Sequence, residues 1–130
     1  MSKAAMFTSS SDRWATPSAV YEALHKEFRF DFDPCPLDGA IDGLSPLWSS
    51  WEGKRVFCNP PYGPGMDKWI ARAGEAQLAV FLIPARTDTR WFHDLVVGKA
   101  KEIRFIRGRL KFGDAKNCAP FPSMVVIFAS

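Results

Sequence analysis

Arg55-Val56-Phe57-Cys58-Asn59-Pro60-Pro61-Tyr62-Gly63-Pro64-Gly65 passes from a short, largely apolar run into a segment whose three prolines and two glycines exclude both helix and sheet. The run reads as a strand and the segment as a rigid loop at its carboxyl end. Met66 to Ala76 then resumes helical spacing, with Trp69, Ile70 and Ala73 facing in. Leu78-Ala79-Val80-Phe81-Leu82-Ile83 is apolar at every position, as in a strand of a parallel sheet covered on both faces, and Pro84 ends it. Strand, loop, helix and strand predict a three-layer α/β fold with a mostly parallel sheet. Ligands of such sheets bind beyond the carboxyl ends of the strands.

Upstream, Thr16-Pro17-Ser18 reads as a cap followed by an amphipathic helix that carries Val20, Leu24 and Phe28 on one stripe, with Thr16 at the N-cap. Phe28, Phe30 and Phe32 alternate with Arg29, Asp31 and Asp33, which predicts a strand stopped by Pro34. Cys35 to Lys54, with Trp48 and Trp51, reads as a long loop of the kind that serves function. Downstream, Thr89 to Val97 reads as a helix and Glu102 to Arg107 as a strand. A last strand, Ser123 to Phe128, follows the loop Gly113 to Pro122.

At 130 residues, 47% of them hydrophobic, the chain can bury one ordinary core and has no room for a second. Met1 to Asp12 reads as a flexible arm ahead of a single domain over residues 13–130. No apolar run approaches the roughly 20 residues of a spanning helix, so a soluble protein is expected. Cys35, Cys58 and Cys118 are odd in number and lack CxxC spacing. With only His25 and His93 beside them, neither a disulfide framework nor a metal site is expected, and free thiols suit a reducing cytoplasm. The net charge of +3 is too small to demand a polyanion, but residues 86–116 carry nine Lys and Arg plus His93 against four acids. Asp31, Asp33, Asp38 and Asp42 lie earlier, so the front of the chain suits a cationic ligand and the back suits phosphate.

Asn59 to Tyr62 carries the sharpest chemical signal. An amine conjugated to a purine ring is a poor nucleophile, and the Asn59 side-chain oxygen and the Pro60 carbonyl can accept both of its hydrogens as it becomes tetrahedral. The two prolines hold these acceptors still, and Tyr62 offers a flat face to a base drawn out of a duplex. Alone, the quartet also reads as a rigid turn or a proline-rich recognition segment. Its position after an apolar strand, near a second strand end at Asp33-Pro34, favours chemistry. The Asp33 carboxylate suits the cationic groups and ribose hydroxyls of a cofactor, although one Asp-Pro alone also reads as a turn cap.

Trp14-Ala15-Thr16-Pro17, Phe30-Asp31-Phe32-Asp33-Pro34-Cys35 and Asp42-Gly43-Leu44-Ser45, read with Arg55 to Gly63, resemble the phage-type DNA N6-adenine methyltransferase family. The resemblance continues through Leu82 to Thr89, Trp91-Phe92, Arg107 to Phe112 and Phe121-Pro122-Ser123. It implies a compact Rossmann-like methyltransferase fold, trimmed relative to larger relatives, with S-adenosylmethionine as donor and double-stranded DNA as acceptor. Matched by position, Asn59, Pro60, Pro61 and Tyr62 form the catalytic loop and Asp33 and Pro34 the first cofactor motif. Asp42 falls at the acidic position near the cofactor's adenine. Trp14, Thr16 and Pro17 fall in the segment over its methionine part, and Arg86, Trp91 and Arg109 fall near the mouth that receives DNA.

The chain also departs from that pattern. The glycine-rich turn of larger methyltransferases is absent after Asp33, the loop from Cys35 to Lys54 is short, and no separate target-recognition region is expected within these residues. These departures point to low sequence specificity or to a second subunit, such as another copy of the chain. The residues alone leave open a protein that binds DNA or cofactor without turnover, and the same chemistry on RNA or on a glutamine amide.

Overall fold

A computed structural model describes residues 14–36, 43–45, 50–113 and 117–129. Met1 to Asp12, Asp38, Asp42, Trp48 and Lys116 lie outside the described residues. The elements, in order, are α1 (Ser18–Phe28), β1 (Arg55–Cys58), α2 (Met66–Ala71), β2 (Leu78–Pro84), β3 (Glu102–Phe105) and β4 (Ser123–Ala129). A 3-10 turn over Arg72–Glu75 extends α2, and a π-helical turn spans Phe92–Val96.

The four strands form one mixed sheet in the order β1-β2-β4-β3. β1 pairs with β2 in parallel, whereas β4 pairs antiparallel with both β2 and β3. The expectation of a mostly parallel, Rossmann-like sheet is corrected: two of these three ladders are antiparallel. Apolar runs at 78–83 and 124–128 report that both strands are covered on both faces; they carry no information about direction. β1, β2 and β3 all run the same way, and β4 returns between the last two.

The strand expected over 28–33 is reduced to one parallel bridge, Phe32 to Val56. Arg29 takes a left-handed conformation (φ 57°) to close α1, which leaves too little extended chain for a ladder. The Arg55 guanidinium donates to the carbonyls of Phe28 and Arg29 and so caps the same helix end from β1. Asp31 is also used structurally: its Oδ1 accepts the Arg55 amide at 2.9 Å.

α1 lies over one face of the sheet, with Tyr21 edge-on to Phe57 and Glu27 paired to Arg104 of β3 at 2.6 Å. On the other side of β2, Trp51 is fully buried against Phe81. Its Nε1 donates to the Gly43 carbonyl at 3.0 Å, so part of the long loop is a core anchor. Among the described residues no helix is long and apolar enough to cross a membrane.

Candidate active site

The carboxyl ends of β1 and β2 meet the amino end of β4 at one edge, because Pro84 faces Ser123 across the ladder. Asn59 and Arg86 follow the ends of β1 and β2 at this edge, and Asp33 follows the isolated bridge at Phe32. Pro60 and Pro61 fix two consecutive φ angles, so the loop leaves β1 in one conformation. Gly65 (φ 96°) then turns the chain into α2, in a backbone region that side chains rarely adopt.

Asn59 is held from three sides. Its Nδ2 donates to the Trp14 carbonyl and to Thr16 Oγ1, the latter at 2.9 Å. Its Oδ1 accepts the Tyr62 hydroxyl at 2.8 Å. Because the Trp14 carbonyl can only accept, the nitrogen must face it, and the amide orientation is set. The Tyr62 ring is 8% exposed and stands edge-on to Phe121 and Phe112, with centroids 5.4 and 6.2 Å away. Burial first, and the neighbouring Cys58 second, push the Tyr62 phenol well above its ordinary value, so it stays protonated across the neutral range.

Two cavities open beside this cluster. One, of about 470 Å3, is lined by Trp14, Tyr62, Met66, Arg86, Trp91 and Phe121, with Gly63, Pro84, Thr89 and Pro120 completing its wall. The other, of about 390 Å3, is lined by Thr16, Ser18, Tyr21, Asp33, Cys35 and Asn59, together with Ala15 and Phe57. Trp14 borders both. The first is aromatic with an arginine at its mouth, and the second combines one carboxylate with the hydroxyls of Thr16, Ser18 and Tyr21.

A sequence model of the DNA N-6-adenine-methyltransferase (Dam) family matches residues 3–129. The chain belongs to that family. No curated protein and no solved structure matched it in two further comparisons.

The residues singled out from sequence are distributed unevenly in this Dam-family chain. Asn59 and Tyr62 adjoin different cavities and are bonded to each other; Pro60 is buried and Pro61 half-buried, and both serve as loop geometry. Trp14, Thr16 and Asp33 border the smaller cavity. Asp33 also caps a turn, its Oδ1 accepting the Cys35 amide at 2.9 Å. Pro34 is buried between Asp33 and Cys35 in the chain, and Pro17 sits at the N-cap of α1; neither lines a cavity wall.

The expected capping role of Thr16 is corrected: α1 begins one residue later and has no side-chain cap, because the Thr16 hydroxyl is turned to Asn59. Arg86 and Trp91 line the larger cavity, whereas Arg109 is exposed on the loop after β3 and lines neither. The expected helix over 89–97 is wound as a π turn over Phe92–Val96, with the Val97 amide bonded to the Phe92 carbonyl at 3.0 Å.

Sequence reading assigned no role to Tyr21, Met66, Phe112 or the Leu82 carbonyl, all of which build the site. Tyr21 had a usable signal: it lies three residues before Leu24 and seven before Phe28, on the helix face that packs against Phe57 near the end of β1. Met66 and Phe112 had none beyond apolarity. Arg104, placed in the basic segment, is paired with Glu27 and Glu102 at 2.6 and 2.7 Å.

Proposed function

We propose that this chain transfers a methyl group from S-adenosylmethionine to the N6 amine of an adenine drawn out of duplex DNA. The observation that carries this reading is the position of Asn59. It borders a cavity fit for the donor and is hydrogen-bonded to Tyr62, which borders a cavity fit for a base. Both cavities fall within the roughly 300–1,000 Å3 of ordinary ligand sites.

The smaller cavity suits the donor chemically. Asp33 offers a carboxylate to ribose hydroxyls or to a cationic group, Thr16 and Ser18 offer hydroxyls, and Tyr21 and Phe57 offer aromatic surface. Asp42, outside the described residues, is the proposed partner of the donor's purine. S-adenosylmethionine supplies an electrophilic methyl on a sulfonium. Asn59 Oδ1 and the Pro60 carbonyl accept the two amine hydrogens, which draws the nitrogen lone pair out of the ring as the bond forms. Neither oxygen is a base, so the released proton passes to water. Trp91, Tyr62 and Phe121 receive the extruded base and offset its unstacking cost. Arg86 and Arg109 meet phosphate.

The reading is tested by incubating pure protein with labelled S-adenosylmethionine and, separately, duplex DNA, RNA and a protein mixture. N6-methyladenine in DNA, identified by mass spectrometry, is the expected product. Label appearing only in RNA or on glutamine would redirect the acceptor. Binding without any transfer would leave a DNA- or cofactor-binding protein.

A further inference from the structure

We propose that Thr16 is a positioning residue that ties occupancy of the smaller cavity to the orientation and polarity of the Asn59 amide. The inference rests on the reading of Asn59 given above and extends it to a residue without contact to the acceptor base.

Three observations carry it. First, both Nδ2 hydrogens of Asn59 are engaged, one by the Trp14 carbonyl and one by Thr16 Oγ1 at 2.9 Å. Second, the Thr16 hydroxyl is released from helix capping, since α1 starts from Pro17 with no side-chain cap bond. Third, Thr16 borders the cavity that also holds Asp33 and Ser18. A hydroxyl accepts and donates at once. Thr16 accepts from Asn59, and among the described residues nothing takes its own proton.

That proton is therefore available to an oxygen acceptor of whatever fills the cavity. Donating it raises the acceptor strength of Oγ1, which draws harder on the Asn59 N–H; this in turn puts more negative charge on Oδ1. Oδ1 is the atom that meets the incoming amine. The filled donor cavity thus makes Asn59 a better acceptor, while an empty one leaves the amide held but less polarised.

The test uses side-chain amide signals in 1H–15N spectra of the full chain. The sequence has two asparagines, Asn59 and Asn117, and one glutamine, Gln77, so the Asn59 pair is assigned by its loss in Asn59→Ala. Adding S-adenosylhomocysteine to wild type should shift that pair and slow its exchange. In Thr16→Val the ligand should still bind within about threefold, but the Asn59 pair should no longer respond, and Thr16→Ser should restore the response.

At saturating cofactor and DNA, kcat should fall roughly tenfold in Thr16→Val and recover in Thr16→Ser, the size expected for one orienting hydrogen bond. Thr16→Ala carries the same test if Thr16→Val does not fold. An unchanged Asn59 response in the valine variant overturns the proposal. So does a loss confined to ligand affinity, which makes Thr16 a plain cofactor contact. A wild type that binds no S-adenosylhomocysteine overturns it together with the donor assignment. If the wild-type signals respond through Thr16 but no methyl reaches adenine, the coupling stands and the methylation reading falls.

Discussion

The Tyr62 hydroxyl lies 2.8 Å from Asn59 Oδ1 and 3.0 Å from the Leu82 carbonyl, and it has one proton for two acceptors. When that proton turns to Leu82, both lone pairs of Oδ1 become available to an incoming amine. When it turns to Asn59, the amide is held ready with the pocket empty. The Phe112 and Phe121 rings fix the phenol so that only this rotation remains.

Tyr62→Phe should therefore lower kcat about tenfold while DNA binding stays near wild type, since the ring remains and only the hydroxyl is lost. Tyr62→Ala should be worse on both counts and should cost about 3–5 kcal/mol of stability, because it empties space between Phe112 and Phe121. Steady-state kinetics and denaturant unfolding read the two effects separately. Wild-type turnover in Tyr62→Phe would leave the hydroxyl without a job.

Much of the site was legible because its residues are unusual in kind. Asn59 to Tyr62 announces itself by two prolines after an apolar strand, and Asp33 by its place after alternating aromatics. The hydroxyl bonds were not legible, since they depend on where Trp14 and Thr16 fall after a separation of more than forty residues. The helix-strand-helix order was also readable, because burial leaves a period in the sequence. Strand direction was not: β2 is apolar throughout and β4 from Met124 onward, and a strand inserted antiparallel buries the same side chains as a parallel one. The shortened strand at Phe32 was hidden by Arg29, whose left-handed turn breaks an alternation that the side chains still display.

Stability should fall in alkali for an identifiable reason. Burial raises the Cys58 thiol well above 9.0 and the Tyr62 phenol above 10.0, so folding favours their neutral forms. Their contribution is intact below those unfolded values and drains away as pH rises through them toward the folded ones. Melting temperature should be flat near neutrality and decline beyond about pH 9. Cys58→Ala should melt lower at pH 7 yet show a shallower decline between pH 9 and 10; an equally steep decline would assign the loss to other groups.

Gly43 should tolerate no side chain. A Cβ there would stand 1.9 Å from the Pro34 carbonyl oxygen, while Trp51 and Arg72 hold the Gly43 carbonyl at 3.0 and 3.2 Å. Gly43→Ala should cost about 2 kcal/mol or more and weaken donor binding, because Pro34 follows Asp33 directly. Gly74→Ala, where an added Cβ meets nothing within 4 Å, should be neutral. Urea unfolding of the pair tests the contrast, and equal midpoints would show that the Gly43 turn can shift.

Basic residues of the 86–116 segment should differ in their effect on DNA. Arg86 lines the larger cavity and is exposed, so Arg86→Gln should weaken duplex binding and reduce the salt slope by about one. Arg104 is occupied by Glu27 and Glu102, so Arg104→Gln should leave both affinity and slope unchanged. Fluorescence anisotropy across a salt series distinguishes them. Equal losses would mean that the segment acts through total charge alone.

Asn59→Ala should remove most turnover, by about 100-fold or more, because it deletes the acceptor that matters as charge develops on the amine. The side chain does a second job. Its Nδ2 holds the Trp14 carbonyl and the Thr16 hydroxyl, and Trp14 borders both cavities. Truncation should therefore also loosen S-adenosylhomocysteine binding by a few-fold, a loss too small to account for the fall in kcat. Asn59→Asp separates the two roles: it keeps acceptor oxygens but has no N–H to donate, so it sets a carboxylate against the Trp14 carbonyl. Its ligand affinity should fall further than that of Asn59→Ala. Calorimetry with S-adenosylhomocysteine, beside kcat at saturation, measures both. If Asn59→Asp bound as tightly as wild type, the bonds to Trp14 and Thr16 would not hold the cavity wall, and Asn59 would serve the acceptor side alone.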